Sequence, residues 1–374
     1  MLIRFVVSIS LIGLGSPACW DDGWVTNCVE KLDGAPIAYD NYTVDLNVIS
    51  ASSHVGFGVF RKLPKVERLS LTGNKISMIN RGAFDGLSVV VSIDLEGNHV
   101  EEIQEEVFLN PTLEKVNLRK NRINTIQARA FQEATNLKVL DLSHNKLEVV
   151  PDAIRNLPNL EVLLLEFTPI LTLLPNDFKG LTNLQVLSFN KSKIEDVYDD
   201  TFEDLKNLKE LYLRGNNLRY VPNSVDYLTK LLILDLSHNN IKIIDPHRFQ
   251  SLTNLETLNL AGNQIVIQKH NFNHLQNLQK LNLSLNYLSN LKSHSLSGLG
   301  KLKMLDLSKN DFYYLPEEVH QLRNLTYIDF GGVKIEIRSK DRTNHFVVSY
   351  KCHMKVKSTL KKALEFVEYN FFEY

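Results

Sequence analysis

The sequence predicts a solenoid, a curved stack of about thirteen short parallel strands with one strand per repeat of 23 or 24 residues. Three observations predict it. The run Leu137 to Asn145, Leu-Lys-Val-Leu-Asp-Leu-Ser-His-Asn, returns as a Leu-x-x-Leu-x-Leu-x-x-Asn frame at Leu231 to Asn239, Leu278 to Asn286 and Leu302 to Asn310. The last slot of that frame keeps register through the chain, at Ala51, Asn74, Asn98, Asn121, Asn145, Thr168, Ser192, Asn216, Asn239, Asn263, Asn286, Asn310 and Val333. A second period follows it. Nine or ten residues past the slot stands Phe60, Phe84, Phe108, Phe131, Phe178, Phe202, Phe249 or Phe272, with Ile154, Val225, Leu296 and Val319 in the other repeats. Self-similarity at a period in the twenties is the signature of a stack whose units share one core.

Each unit can be read from its residues. Apolar residues three and five before the slot, such as Leu71 and Leu69 before Asn74, alternate as a strand with one buried face and one open face. An Asn at the strand exit can bond neighbouring backbone groups while the chain turns, so stacked Asn residues form a ladder. That ladder weakens where Thr168, Ser192 or Val333 replaces the amide. The Phe series, with a Leu usually three further on, supplies the convex half of the core.

The match runs from about residue 43 to 335 and resembles the leucine-rich repeat family, its 24-residue Phe form resembling the extracellular subclass. The resemblance implies an α/β horseshoe with a parallel concave sheet.

In chain order, residues 1–18 read as a cleavable secretory signal, with Arg4, an apolar run from Phe5 to Leu14, and Ser16-Pro17-Ala18. The run is too short to span a bilayer, and no other stretch is long enough. The expected protein is therefore secreted and extracellular, without a membrane span. Residues 19–42 form an N-terminal cap in which Cys19 and Cys28 are expected to close a local disulfide, and a two-cysteine metal site has no nearby His to complete it.

The sixth unit departs most from the frame. Glu166-Phe167-Thr168-Pro169-Ile170-Leu171-Thr172-Leu173-Leu174-Pro175 lacks the Asn and carries extra apolar residues, as a loosened repeat or as a surface that touches something. Residues 336–374 form the C-terminal cap: alternation over 336–351 suits strands, and Val356, Leu360, Ala363, Leu364, Val367 and Phe371 mark an amphipathic helix. Cys352 is left over as a buried free thiol or half of an intermolecular disulfide, and its neighbours Lys351, His353 and Lys355 favour the thiolate.

A net charge of -1 argues against nucleic acid as a partner. Asp141, Ser143 and His144, repeated as Asp235, Ser237 and His238, invite a hydrolase reading, but one strand and its exit cannot supply triad geometry. His270 and His274 have metal-like spacing without further ligands, and the chain lacks a phosphate loop. Neither an enzyme nor a metal site nor a cofactor is expected. Glycosylation sequons stand at Asn41, Asn190, Asn282 and Asn324.

Positions two, four and six before each slot line the concave groove, so the sequence names the surface a protein partner would meet. It is polar toward the ends, with Asp94, Glu96, Lys115 and Arg119, and apolar in the middle, with Val139, Val162, Leu164 and Val186. Phe167 and Tyr212 lie close by, with Glu210 and Arg214 at the margin. Strand propensity alone also places such residues, and that reading stands beside an interaction site.

Signal, Cys-x8-Cys cap, repeats, late cysteine and terminal helix resemble the insect leucine-rich immune proteins, which pair through disulfides and coiled coils. The resemblance implies a secreted, non-enzymatic protein-binding module in innate immune recognition, paired as a disulfide-linked homo- or heterodimer. The chain departs from them in having one late cysteine and a short helix. The alternative is an extracellular matrix or cell-adhesion protein similar to small leucine-rich proteoglycans.

Overall fold

The computed structural model describes residues 45–312 and 316–329, and the backbone of five further strands, Ala18–Asp21, Thr26–Val29, Lys334–Arg338, His345–Ser349 and His353–Lys355. Thirteen parallel strands, from Asp45–Ile49 to Tyr327–Asp329, lie side by side in chain order within a 16-stranded sheet. Register is constant from unit to unit: Leu140 stands opposite Leu163, which stands opposite Leu187, and each is buried. One shared core therefore runs the length of the stack.

Asn145 shows what ends each strand. Its Nδ2 donates to the Leu142 carbonyl at 2.8 Å and to the Leu118 carbonyl of the preceding repeat at 2.9 Å, while its Oδ1 accepts from the Ile123 amide at 2.9 Å. One amide thus satisfies three backbone groups that leave the sheet in a buried place, where each unpaired group would cost about 1 to 3 kcal/mol. The ladder breaks where expected. The Thr168 and Ser192 hydroxyls both converge on the Leu165 carbonyl, at 2.8 and 3.0 Å, and lie 3.2 Å apart. Neither hydroxyl is long enough to reach the amide of the preceding repeat as Asn145 Oδ1 does, so the accepting rung is lost.

The residue just before the slot turns the chain inward through left-handed backbone. Gly73, Gly97, Gly215 and Gly262 serve four repeats, but Lys120, His144, Phe167, Lys191, His238, Leu285 and Lys309 adopt the same positive φ. A side chain there is strained by about 1 kcal/mol.

The convex side differs from the α-helical half that an α/β horseshoe implies. Among the described residues it carries turns and three short 3-10 helices, Asp152–Asn156, Asn223–Tyr227 and Glu317–Gln321. A repeat of 23 or 24 residues leaves too few to build an α-helix after the strand and two turns. Each helix follows a proline, Pro151, Pro222 or Pro316, and presents Ile154, Val225 or Val319 in place of Phe. Elsewhere the phenylalanines stack, Phe60 on Phe84 at 6.0 Å, Phe84 on Phe108 at 5.5 Å and Phe108 on Phe131 at 5.2 Å.

A second asparagine ladder runs along the convex margin, and the sequence reading missed it. Asn136, Asn159, Asn183, Asn207, Asn254, Asn277 and Asn324 each donate to a carbonyl 24 or 25 residues earlier. Where Lys230 and Lys301 stand instead, the amine reaches the Asn207 and Asn277 side chains at 2.7 Å.

Beyond the thirteen strands, Ala18–Asp21 and Thr26–Val29 pair antiparallel with Cys19 opposite Cys28, and Thr26–Val29 runs parallel to Asp45–Ile49. At the other end, His353–Lys355 pairs antiparallel with Tyr327–Asp329, and Lys334–Arg338 pairs with His345–Ser349. Residues 1–17 of the expected signal, Asn41, Val333, Cys352 and the helix expected from Val356 lie outside the described residues.

Candidate functional site

Six residues before the slot, register aligns Lys115, Val139, Val162, Val186, Glu210 and Ile233 across six adjacent strands. Four before it, Asn117, Asp141, Leu164, Ser188, Tyr212 and Asp235 align in the same way. Val139, Val162, Val186 and Leu164 therefore form one apolar patch on the concave wall, with Glu210 and Tyr212 on the next strand and Arg214 exposed at its exit. The four apolar residues are half-buried, because neighbours one strand spacing apart shield one another. Ile233 extends the row by one strand beyond the expected set.

The position four before the slot has a structural duty elsewhere. Asp94, Asn117, Asp141, Asp235, Asn259, Asn282 and Asp306 each accept a hydrogen bond from the amide two residues on, as Asp141 does from Ser143 at 2.8 Å. These side chains brace the strand exit. The Asp141 and Asp235 carboxylates, which recur with Ser143, His144, Ser237 and His238, each accept a hydrogen bond from a backbone amide through Oδ1. Leu164, Ser188 and Tyr212 give up that brace on three consecutive strands, the first two of which also lack the slot Asn. Strand propensity accounts for a valine in these rows but not for loss of two backbone supports in the same place.

Polar contacts among side chains take over there. Glu166 Oε1 accepts from Ser188 Oγ at 2.6 Å and Asn190 Nδ2 at 3.0 Å, and Asn190 Oδ1 accepts from the Arg214 amide at 3.0 Å. The Tyr212 hydroxyl donates to Glu210 Oε2 at 2.7 Å; burial first, and then that carboxylate, raise its pKa far above the usual phenol value. Tyr212 is a neutral donor at any ordinary pH.

A rim of left-handed residues borders the patch. His144 stacks on Phe167 at 4.1 Å, the Lys191 ammonium stands 5.1 Å from the same ring, and Arg119 Nη2 donates to His144 Nε2 at 3.0 Å. Phe167 is 39% exposed. The signal that could have found this rim is the glycine alternating with large residues one position before the slot.

The remaining sequence candidates are dispersed. The sequon Asn190 lies in the network just described, Asn282 on the eleventh strand, and Asn324 exposed on the convex margin. His270 stacks on His294 of the next repeat at 5.9 Å rather than pairing with His274.

A family model described as leucine rich repeat matches residues 50–100, 111–170, 167–218, 222–265 and 266–312. A solved leucine-rich repeat protein of Leptospira interrogans is similar at 26% identity and TM-score 0.61, over 76% of this chain and 77% of that one. A chain of the glycosylated Toll–Spatzle complex of Drosophila matches at 19% identity and TM-score 0.66, over 81% of this chain and 46% of its own length. An internalin of Listeria monocytogenes matches at 23% identity and TM-score 0.62, over 82% and 87%.

Proposed function

The chain belongs to the leucine-rich repeat family, and on that premise we propose that it is a secreted, non-enzymatic module that binds a protein partner on its concave face. The observation that carries the reading is the patch of Val139, Val162, Leu164 and Val186, set where three consecutive strands replace their Asp or Asn brace. Apolar surface flanked by Glu210, Tyr212 and Arg214 offers a desolvated centre inside a polar margin, the layout in which a few residues dominate binding. Innate immune recognition is the role favoured within this reading, since one similar fold is a Toll–Spatzle complex, described as a hub in Drosophila development and innate immunity.

Covalent pairing through Cys352, the Cys19 to Cys28 disulfide and glycans on Asn41 or Asn324 belong to the same proposal, whereas a glycan on Asn190 or Asn282 would block docking beside it. For the cap disulfide, the support is the register that sets the two cysteines opposite each other. A non-reducing gel of the secreted chain with and without Cys352→Ser tests the pairing. A dimer lost in the variant supports it, and a monomer throughout removes it.

The binding surface is tested by Val162→Glu combined with Leu164→Lys. Both side chains face the groove, so the fold should hold while capture of a partner from the native extracellular fluid is lost. Capture unchanged, with circular dichroism unchanged, moves the site elsewhere.

A further inference from the structure

The sixth repeat carries more apolar residues than its core needs. Its Ile170 and Leu173 are fully buried, while Leu171 is 51% and Leu174 43% exposed on the flank where the chain descends from the concave sheet. Tyr198 (53%) and Tyr220 (44%) continue this surface in the next two repeats, followed by Ile243 and Val266, which form a parallel bridge to each other. Register ties the early part together: Thr172–Leu173 pairs with Asp196–Val197, the Tyr198 amide bonds the Leu173 carbonyl at 3.1 Å, and the Tyr220 hydroxyl donates to Asp196 at 3.1 Å. The result is a strip of exposed Leu, Tyr, Ile and Val across five adjacent repeats, distinct from the concave patch.

Its acidic charge is gathered on the seventh repeat. Between Ile194 and Leu205 stand Glu195, Asp196, Asp199, Asp200, Glu203 and Asp204, with no Lys, Arg or His among them. Tyr227 and Asn223 bind Asp200 and Asp199 at 2.9 Å and hold these carboxylates at the flank. Lys193, Arg219 and Lys242 border the strip on the concave side.

We propose that this flank docks a basic amphipathic helix of a partner protein. Repeats recur about every 4.8 Å, close to the 5 to 6 Å between helix residues three or four apart, so a helix laid along the stack brings one apolar residue over each repeat. Five repeats match about four helical turns. Lysines on the side of such a helix turned away from the concave sheet, where it crosses the seventh repeat, meet the carboxylates of residues 195–204. This surface is independent of the concave reading, and each can fail alone.

The test is fluorescence anisotropy of the folded full chain against a labelled synthetic peptide of about 18 residues, Leu at helical spacing and Lys elsewhere. A peptide with Glu in place of Lys is the control. Leu171→Ser with Leu174→Ser removes apolar surface, and Glu195→Gln with Glu203→Gln removes charge without touching a hydrogen bond among the described residues. Each pair should raise Kd at least tenfold, with Kd for the intact chain rising with salt. Val162→Glu with Leu164→Lys should leave Kd unchanged. Kd within twofold of the intact chain for both flank variants, equal binding of the Glu peptide, or loss through the concave variant alone would each overturn the proposal.

Discussion

The imidazole of His144 lies 4.1 Å from the ring of Phe167 and 16° from parallel, each residue holding left-handed backbone one repeat from the other. Neither residue gains from its backbone state, so the pair is kept by what it presents at the rim. Burial first, then Arg119 and Lys120, depress the His144 pKa below its ordinary value, because a proton there would face two cations. The Arg119 contact at 3.0 Å requires the same neutral state, since a guanidinium can only donate.

His144 is therefore expected to stay neutral in the folded chain down to a lower pH than in the unfolded chain. Stability from this group is present above about pH 6.5 and is lost as pH falls through the depressed folded pKa. Proton NMR titration of the His144 ring should show the depression, and Phe167→Ala should move the value back upward by exposing the ring. A His144 that titrates at its ordinary value in the intact chain contradicts the assigned stack.

The gap in the inner ladder can be filled. Thr168→Asn with Ser192→Asn should restore the rungs that every described repeat from the second to the fifth and from the eighth to the twelfth possesses. Each recovered bond stabilises by about 1 kcal/mol, read as a higher denaturation midpoint. No gain would show that the two hydroxyls already satisfy the backbone.

The phenylalanine column predicts a graded response. Phe108 is enclosed by Phe84 at 5.5 Å and Phe131 at 5.2 Å, so Phe108→Ala opens a cavity with rings on both sides. The cost should be about 3 to 5 kcal/mol, against less for Ile154→Ala, where a smaller side chain is cut. Urea unfolding of the two variants compares them directly. Equal losses would mean that the column relaxes into the space.

The frame was legible because burial dictates it. Every residue five before the slot from Leu46 to Ile328 is buried, and the apolar spacing that shows this cannot be satisfied by another register. What the sequence left hidden depends on local backbone detail. The role of Asp141 stayed hidden because a brace across two residues leaves no periodic trace apart from Asp or Asn itself. The outer ladder of Asn136, Asn159 and Asn183 escaped because those side chains sit in solvent, where polarity needs no explanation. Left-handed residues before the slot were masked by Lys120, His144 and Phe167, which few backbone rules would place at positive φ. The concave patch was legible as a set of residues, yet its distinction from strand propensity needed the bonds it lacks.

Asp177 predicts an unusual pH dependence. Burial lifts its pKa to about 6, although the Leu174 amide donates to its Oδ2 at 2.7 Å and Arg155 stands 4.0 Å from its Oδ1. A carboxyl raised in the folded state binds its proton more tightly there than in the unfolded chain. Its contribution is therefore full below about pH 4 and is lost as pH climbs through 6. Asp177→Asn keeps an acceptor for Leu174 and has no proton to lose. It should match the intact chain at about pH 4 and exceed it by about 2 kcal/mol at about pH 8, since each tenfold difference in proton affinity between the folded and unfolded chain is worth about 1.4 kcal/mol before solvent screening. Thermal unfolding of both chains across this pH range measures the difference. A gap that does not open on the way to neutral pH would show that Arg155 closes on the carboxylate and holds it ionised.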